Sequence, residues 1–481
     1  MTARVRLGIR IAVLAGPVVL AFASGGFFDE GRQVALIVTA VLLGVWAFAG
    51  PGPIPRDRRA ILALVGLAGY CGWVALSSAW APRADIAHAD LERVLIYLAA
   101  FGIGVTLWQS RTAARLVEPA VALGVFVVTV YGLAGRLLPG IVEQTVGRLS
   151  GSRLFQPLTY WNAEGELAAI GFILCARIAG DRTRSAGVRM AAGAAAVPIG
   201  TALYLTFSRG ALVTLVGGLL ILLALAPTWT QLRAVAITVE TAAVGVLACG
   251  ALGGVNNLSG SLGHREGQGF LALLFILAAM IMAAALVNAA VRAEDEERTR
   301  LGRLPIPERA PAIAFGLALL LIIIPIAAAG TDHGPAPRFG ETSSRLASTG
   351  SNRYQYWKVA LRTAAHHPLN GVGTGGFGTE WLKHRDIDEV VRDAHSLYLE
   401  TLAELGIVGL ALLAMFLAGI VACGREVYLD DPILAAGPIA ALSAWALHAG
   451  IDWDWEMPAL TLVAITLAGM LISRAGAELE D

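Results

Sequence analysis

GFLALLFILAAMIMAAALVNAAV, residues 269–291, decides the fold. It carries no charged side chain. A bilayer's hydrocarbon core, about 30 Å thick, needs about 20 apolar residues in helix to cross it. Comparable runs fall near 8–24, 33–50, 60–79, 91–108, 114–137, 161–178, 189–207, 209–226, 232–252, 311–330, 396–422, 432–450 and 457–474. The pair at 189–207 and 209–226 is divided only by Ser208-Arg209-Gly210. In lipid, only helices or closed barrels satisfy every backbone group. These runs are too long and too continuously apolar for barrel strands. The prediction is an all-α, polytopic membrane protein with about 12–14 transmembrane helices.

Composition agrees. Hydrophobic residues make up 56% of the 481 and charged residues 15%, against about 25% charged in soluble domains. The net charge of zero gives no reason to expect nucleic acid. Cys71, Cys175, Cys249 and Cys423 each lie in an apolar stretch, without disulfide or metal-ligand spacing, and read as small buried hydrophobes. Arg4, Arg6 and Arg10 precede an apolar run without a clear cleavage site, so the segment reads as a first helix rather than a signal peptide.

Lys and Arg set the expected orientation. With a cytoplasmic N-terminus, the inner segments hold 20 basic residues, the short outer segments 8, and the long stretch 331–395 the remaining 8. Both termini are therefore expected inside and the long loop outside. The chain divides into N-terminal helices at 1–137 and a central membrane region at 138–330 with an outer loop at 138–160. An extracytoplasmic loop at 331–395 and C-terminal helices at 396–481 complete it.

The long loop opens on breaker-rich sequence. An amphipathic helix is predicted from about Asn352 to His366, with Ser351 or Asn352 as N-cap and Tyr354, Trp357, Leu361 and Ala364 as its apolar face. The glycine-rich stretch 366–378 follows, then a polar helix carrying Lys383 to Arg392. Gly373, Gly375 and Gly378 satisfy GxGxxG, but no strand precedes them. A tight turn with close backbone approach is the better reading.

Arg209, at membrane depth, suggests a polar cavity or an anion. Arg353 falls in the first turn of the loop helix, where its charge opposes the helix dipole; a bound anion there would explain it. His395 stands where the loop re-enters the membrane, beside Ser396 and near Glu400 and Glu404, and suits a proton acceptor for a hydroxyl. The segment HAGIDWDWEMPAL sets His448, Asp452, Asp454 and Glu456 beside Trp453 and Trp455. It suits a divalent cation, sugar hydroxyls, or an interfacial aromatic belt. Glu240, read as an isolated buried carboxylate, supports a transporter.

Taken in order, these residues form a recognisable pattern: Gly147-Arg148-Leu149-Ser150-Gly151 with Asn162, then Ser208-Arg209-Gly210, Arg353 with Trp357, Pro368 to Phe377, and His395 to Gly409. Over roughly residues 145–422 the chain resembles the O-antigen ligase and polymerase superfamily of membrane glycosyltransferases. The resemblance implies a metal-independent, GT-C-like fold without cofactor, in the cytoplasmic (inner) membrane of a bacterium. The donor would be a glycan on a polyprenyl diphosphate carrier such as undecaprenyl diphosphate, and the acceptor a glycan, lipid or protein. It puts Arg209 and Arg353 at diphosphate-binding positions and His395 at that of the base. Candidate substrate-binding residues are Arg153, Asn162, Trp357, Gly373, Glu400, Asp452 and Asp454. About two additional N-terminal spans and the Tyr160-Trp161-Asn162 stretch depart from the usual family pattern.

A diphosphate on sugar C1 is already a good leaving group. The site must supply positive charge where the diphosphate's charge grows, together with a base for the acceptor hydroxyl. Direct displacement would invert C1. The alternatives are a repeat-unit polymerase with carrier-linked donor and acceptor, a transporter, and a structural role in an envelope complex.

Overall fold

The computed structural model describes residues 3–49, 55–144, 150–296, 303–304, 307, 309–329, 343, 346 and 351–475. In chain order its α-helices are α1 Ala3–Ala21, α2 Asp29–Phe48, α3 Arg58–Ser77, α4 Ala84–Leu107, α5 Arg111–Ala114 and α6 Val117–Leu137. There follow α7 Trp161–Gly180, α8 Ala186–Leu205, α9 Arg209–Leu225, α10 Trp229–Ala251, α11 Gly253–Asn256 and α12 Leu262–Glu296. The last are α13 Ala310–Ala329, α14 Arg353–His366, α15 Phe377–His384, α16 Leu397–Asp430, α17 Pro432–Ala449 and α18 Pro458–Ala475.

Each apolar run of the sequence coincides with one of these helices. Among the described residues, nine helical stretches are long and apolar enough to cross a membrane. The protein is thus an all-α, polytopic membrane protein. All four cysteines are buried and free.

The chain forms two compact units. The first comprises Met1–Val117, Ser351–Asp431 and Ala446–Asp481. In it α3 packs along α16, and α4 packs against α18 and α2. Small residues make this closeness possible, as is usual between membrane helices. A Cβ on Gly66 would fall 2.4 Å from the Phe416 nitrogen, and one on Gly419 2.5 Å from that of Ala63. The second unit comprises Glu118–Gly350 and Pro432–Trp445. Its centre is α8, which contacts α7, α10 and α12, while α9 packs on α7 and α13. Glu240 is exposed on α10 rather than buried, which removes the ground for the transporter reading.

The loop helix forms with a different face inward. Tyr356, Val359, Ala360, Thr363 and Ala364 are buried, whereas Leu361 is exposed. The cause is Glu389, which accepts hydrogen bonds from the Tyr356 hydroxyl and from Asn352 Nδ2, both at 2.8 Å. Tyr356 then packs edge-on to Trp381, 5.0 Å between ring centroids. The polar helix expected to carry Lys383 to Arg392 ends at His384. Arg385 is extended, and turns and bends lead on to Ser396. The segment's opening, 331–350 apart from Ser343 and Leu346, lies outside the described residues, as does Gly147-Arg148-Leu149.

Candidate active site

In the first unit, the candidates Arg353 and Asp452 come together beside His395. Ser396 caps α16 through its hydroxyl, which accepts from the Leu399 amide at 3.4 Å. His395, just before the cap, takes a left-handed φ of 54°, a conformation that costs a non-glycine residue energy. Its Nδ1 lies 3.0 Å from the Asp393 carbonyl oxygen. A carbonyl can only accept, so Nδ1 carries the hydrogen and Nε2 presents a lone pair. The imidazole lies between Tyr356 and Trp453, with ring centroids 5.3 and 5.8 Å away. Burial lowers its pKa below 6.5, outweighing the upward pull of Asp452, and Arg353 adds to the lowering. The ring is therefore neutral at neutral pH and able to accept a proton at Nε2.

Arg353 is the first residue of α14, and its guanidinium pairs with Asp452. The anion that its place at a helix start calls for is thus the chain's own carboxylate. Asp452 is fully buried and its other oxygen accepts from the Trp453 amide at 2.9 Å. Asp454 is committed to His448 Nδ1 at 2.6 Å, with both side chains fully buried. Glu456 lies 3.7 Å from Arg93, and burial raises its pKa to about 8. Each acid of this turn has a protein partner. Among the described residues no group of three or more His, Cys, Asp or Glu is arranged to hold a metal ion.

Trp357 is half-buried, edge-on to Tyr354 at 5.7 Å, and its indole nitrogen is buried without a partner among the described residues. Glu400 and Gly373 serve the scaffold around the site. One Glu400 carboxylate oxygen accepts from the Ala394 amide at 2.6 Å, which holds the segment that presents His395. Gly373 has φ 91° and stands where a Cβ would lie 2.6 Å from the Ala81 backbone. The GxGxxG stretch is thus a close-packed turn, as expected.

Glu404 completes the turn by accepting from the Gly375 and Phe377 amides at 2.8 and 2.9 Å. Beneath it, Asp90, Arg93, Glu400, Glu404 and Glu456 line a polar cavity of about 20 Å³, room for one water molecule. Arg93 holds Asp90 at 2.7 Å. Burial raises the Asp393 pKa to about 6, despite nearby Arg392 and Arg93. The sequence reading named Glu400, Glu404 and Glu456 but missed Glu389, Asp393, Asp90 and Arg93. The available signal was Asp90 and Arg93, three apart and so on one face of the helix that leads into the apolar run 94–107.

The second unit carries the other candidates. Phe207, at φ 50°, makes the tight link between α8 and α9. Ser208 then caps α9 by accepting from the Ala211 amide at 3.3 Å, and Arg209 is its first, half-buried residue. Arg153 is 1% exposed, its guanidinium 4.5 Å from the Trp161 ring centroid. Asn162 is buried in the first turn of α7 and donates to the Tyr160 hydroxyl at 2.8 Å.

Fold and site together define a class: polytopic membrane proteins with a histidine beside an ion-paired arginine at the start of a loop helix. The family model described as O-antigen ligase matches residues 194–414, a span that includes Arg209, Arg353 and His395. Over that stretch, just under half of the chain, the protein is similar to the O-antigen ligase family. No curated protein matches it.

Proposed function

We propose that this protein transfers a glycan from a polyprenyl diphosphate carrier to an acceptor hydroxyl at the outer face of a bacterial cytoplasmic membrane, with both termini in the cytoplasm. The observation that carries the reading is His395, whose Nδ1 is held by a carbonyl, whose Nε2 lone pair is available, and whose neighbour is Arg353. Similarity to the O-antigen ligase family over residues 194–414 suggests the substrate class.

In this reading the acceptor oxygen attacks sugar C1 as its proton passes to His395 Nε2. The bond from C1 to the diphosphate oxygen breaks, and the carrier diphosphate leaves with that electron pair. The configuration at C1 inverts. Arg353 supplies a guanidinium fork to the charge that grows on the diphosphate, and the family resemblance gives Arg209, in the second unit, a diphosphate-binding role. Asp452 orients Arg353, and Glu400 with Glu404 hold the segments on either side of His395. Trp357 and Trp453 offer apolar faces suited to sugar rings, and Arg153 and Asn162 are donor-side contacts. No step calls for a metal or cofactor.

The test is transfer in nanodiscs from a polyprenyl-diphosphate glycan to host envelope acceptors, with and without EDTA, following product mass and released carrier. A single mass increment with EDTA-insensitive carrier release is expected. His395→Ala and Arg353→Ala should abolish both. A ladder of masses would instead make the protein a polymerase. Transfer unaffected by either substitution would refute the site.

A further inference from the structure

The loop helix α14 ends where the membrane span of α16 begins. Residues 405–424 of α16 are 20 in number and carry no charge, the length that crosses a hydrocarbon core about 30 Å thick. Arg425 closes this stretch at one end and Glu404 at the other, so the boundary on the His395 side falls at Leu405 and Gly406. Trp73 marks the same level by donating from its indole nitrogen to the Leu405 carbonyl at 2.9 Å; tryptophans gather where lipid meets water. Below the boundary, Ile407, Ala411, Ala414, Ala418 and Val421 are exposed and spaced as one helix face, the face this span turns to lipid.

The chain that leaves α14 is tied to that boundary. The Ile407 amide donates to the Pro368 carbonyl at 2.9 Å, and the Val408 amide to the Leu369 carbonyl at 3.4 Å. Gly406, at φ 64°, admits this approach, because a Cβ there would collide with the Leu369 carbonyl. The Leu369 side chain is 67% exposed, and Ile407 and Val408 are exposed with it. On α14 itself, Leu361, Ala365 and Arg362 follow one another around the exposed face. No acid occurs from Val359 to Thr379. Exposed leucines at the level where water gives way to lipid, with an arginine beside them, suit head groups and the first carbons of the acyl chains.

We propose that residues 361–369 are an interfacial anchor whose partner is the lipid surface of the bilayer that α16 crosses. Leu361 and Leu369 enter the leaflet on the His395 side, and Arg362 meets its head-group phosphates. From this anchor α14 runs back to Arg353, about 20 Å of helix. The helix is then a strut that limits how far the Arg353–Asp452 pair can stand from the lipid. The proposal needs only the membrane span of α16, and its test does not depend on glycan transfer.

Single cysteines are introduced by Leu361→Cys, Leu369→Cys, Ile407→Cys and Asp388→Cys and spin-labelled in the full-length protein; the four native cysteines are buried. The labelled protein is placed in nanodiscs of phosphatidylcholine and phosphatidylglycerol. Power saturation then compares access to oxygen, which concentrates in lipid, with access to a water-soluble nickel chelate. Labels at positions 361, 369 and 407 should favour oxygen. The label at position 388, where the native side chain is 97% exposed, should favour nickel. The logarithm of the oxygen-to-nickel ratio should therefore change sign between the two groups. A label at either 361 or 369 that favours nickel as position 388 does would overturn the anchor, and one at 407 that does so would overturn the boundary on which it rests.

Discussion

The pair formed by Arg353 and Asp452 has unequal partners, and its two halves should fail unequally when removed. The Arg353 side chain is 21% exposed, whereas that of Asp452 is 0% exposed. Arg353→Gln leaves a carboxylate in the interior without its charged partner. Removing one partner of a buried pair costs about 3–5 kcal/mol. Relief of the unfavourable charge at the start of α14 returns about 0.3–1 kcal/mol. Asp452→Asn leaves an arginine that water reaches, and the amide oxygen still accepts, so its cost should be about 1–2 kcal/mol. The double variant removes both charges and should resemble Asp452→Asn rather than the sum of the two. The coupling should be at least about 2 kcal/mol. The assay is denaturant unfolding in detergent, followed by tryptophan fluorescence, for wild type and the three variants. Equal costs for the two single variants, or additivity in the double, would refute the assigned burial and pairing.

Other outcomes follow from single contacts. Because His395 must be neutral to accept a proton and its pKa is lowered, transfer should be lost as pH falls through a value below 6.5; an acid limb above 6.5 in kcat/KM would contradict this. Gly373→Ala sets a Cβ at φ 91° and 2.6 Å from Ala81, so it should cost at least the ~1–2 kcal/mol of a left-handed side chain, read as a lower unfolding midpoint. Glu404→Ala deprives the buried Gly375 and Phe377 amides of their acceptor, at about 1–3 kcal/mol each, and should speed hydrogen exchange at both. In the second unit, Arg189 grips Glu294 through two bonds of 2.7 and 2.9 Å. Arg189→Gln should destabilise by about 3 kcal/mol, the low end for a buried pair, because Arg182 stands 3.4 Å from the same carboxylate.

The fold was legible wherever apolar length alone decides it. Every helix predicted from such a run formed, because lipid leaves the backbone no other way to satisfy itself. The loop helix shows where that reasoning ends. Its sequence carries two apolar stripes, one through Tyr354, Trp357, Leu361 and Ala364, the other through Tyr356, Val359, Ala360 and Thr363. Periodicity cannot choose between them. The choice is made by Glu389, 33 residues away in the chain, through its bond to Tyr356. Lys383 to Arg392 fails as a helix for a related reason. The Glu389 carbonyl is engaged by Trp381 Nε1 at 2.8 Å and by Arg385 Nη1 at 2.9 Å, so its backbone serves the tertiary fold instead of a helical ladder.

At the site, residue type and position carried part of the answer and partner choice the rest. A lone arginine at a helix start implies an anion, and three acids in one turn imply a cation. Each inference was sound, but each left its partner unnamed: Arg353 and Asp452 answer one another. That mutual neutralisation bears directly on function. A guanidinium held by a buried carboxylate is oriented before substrate arrives, so its alignment need not be paid for when the diphosphate's charge develops. The same pair acts on His395 in opposite directions, Asp452 raising its pKa and Arg353 lowering it. Their effects on the ring partly cancel, and burial remains the dominant influence. The base is therefore kept neutral by its enclosure between Tyr356 and Trp453, and its proton affinity should respond more to loss of either aromatic ring than to loss of the ion pair.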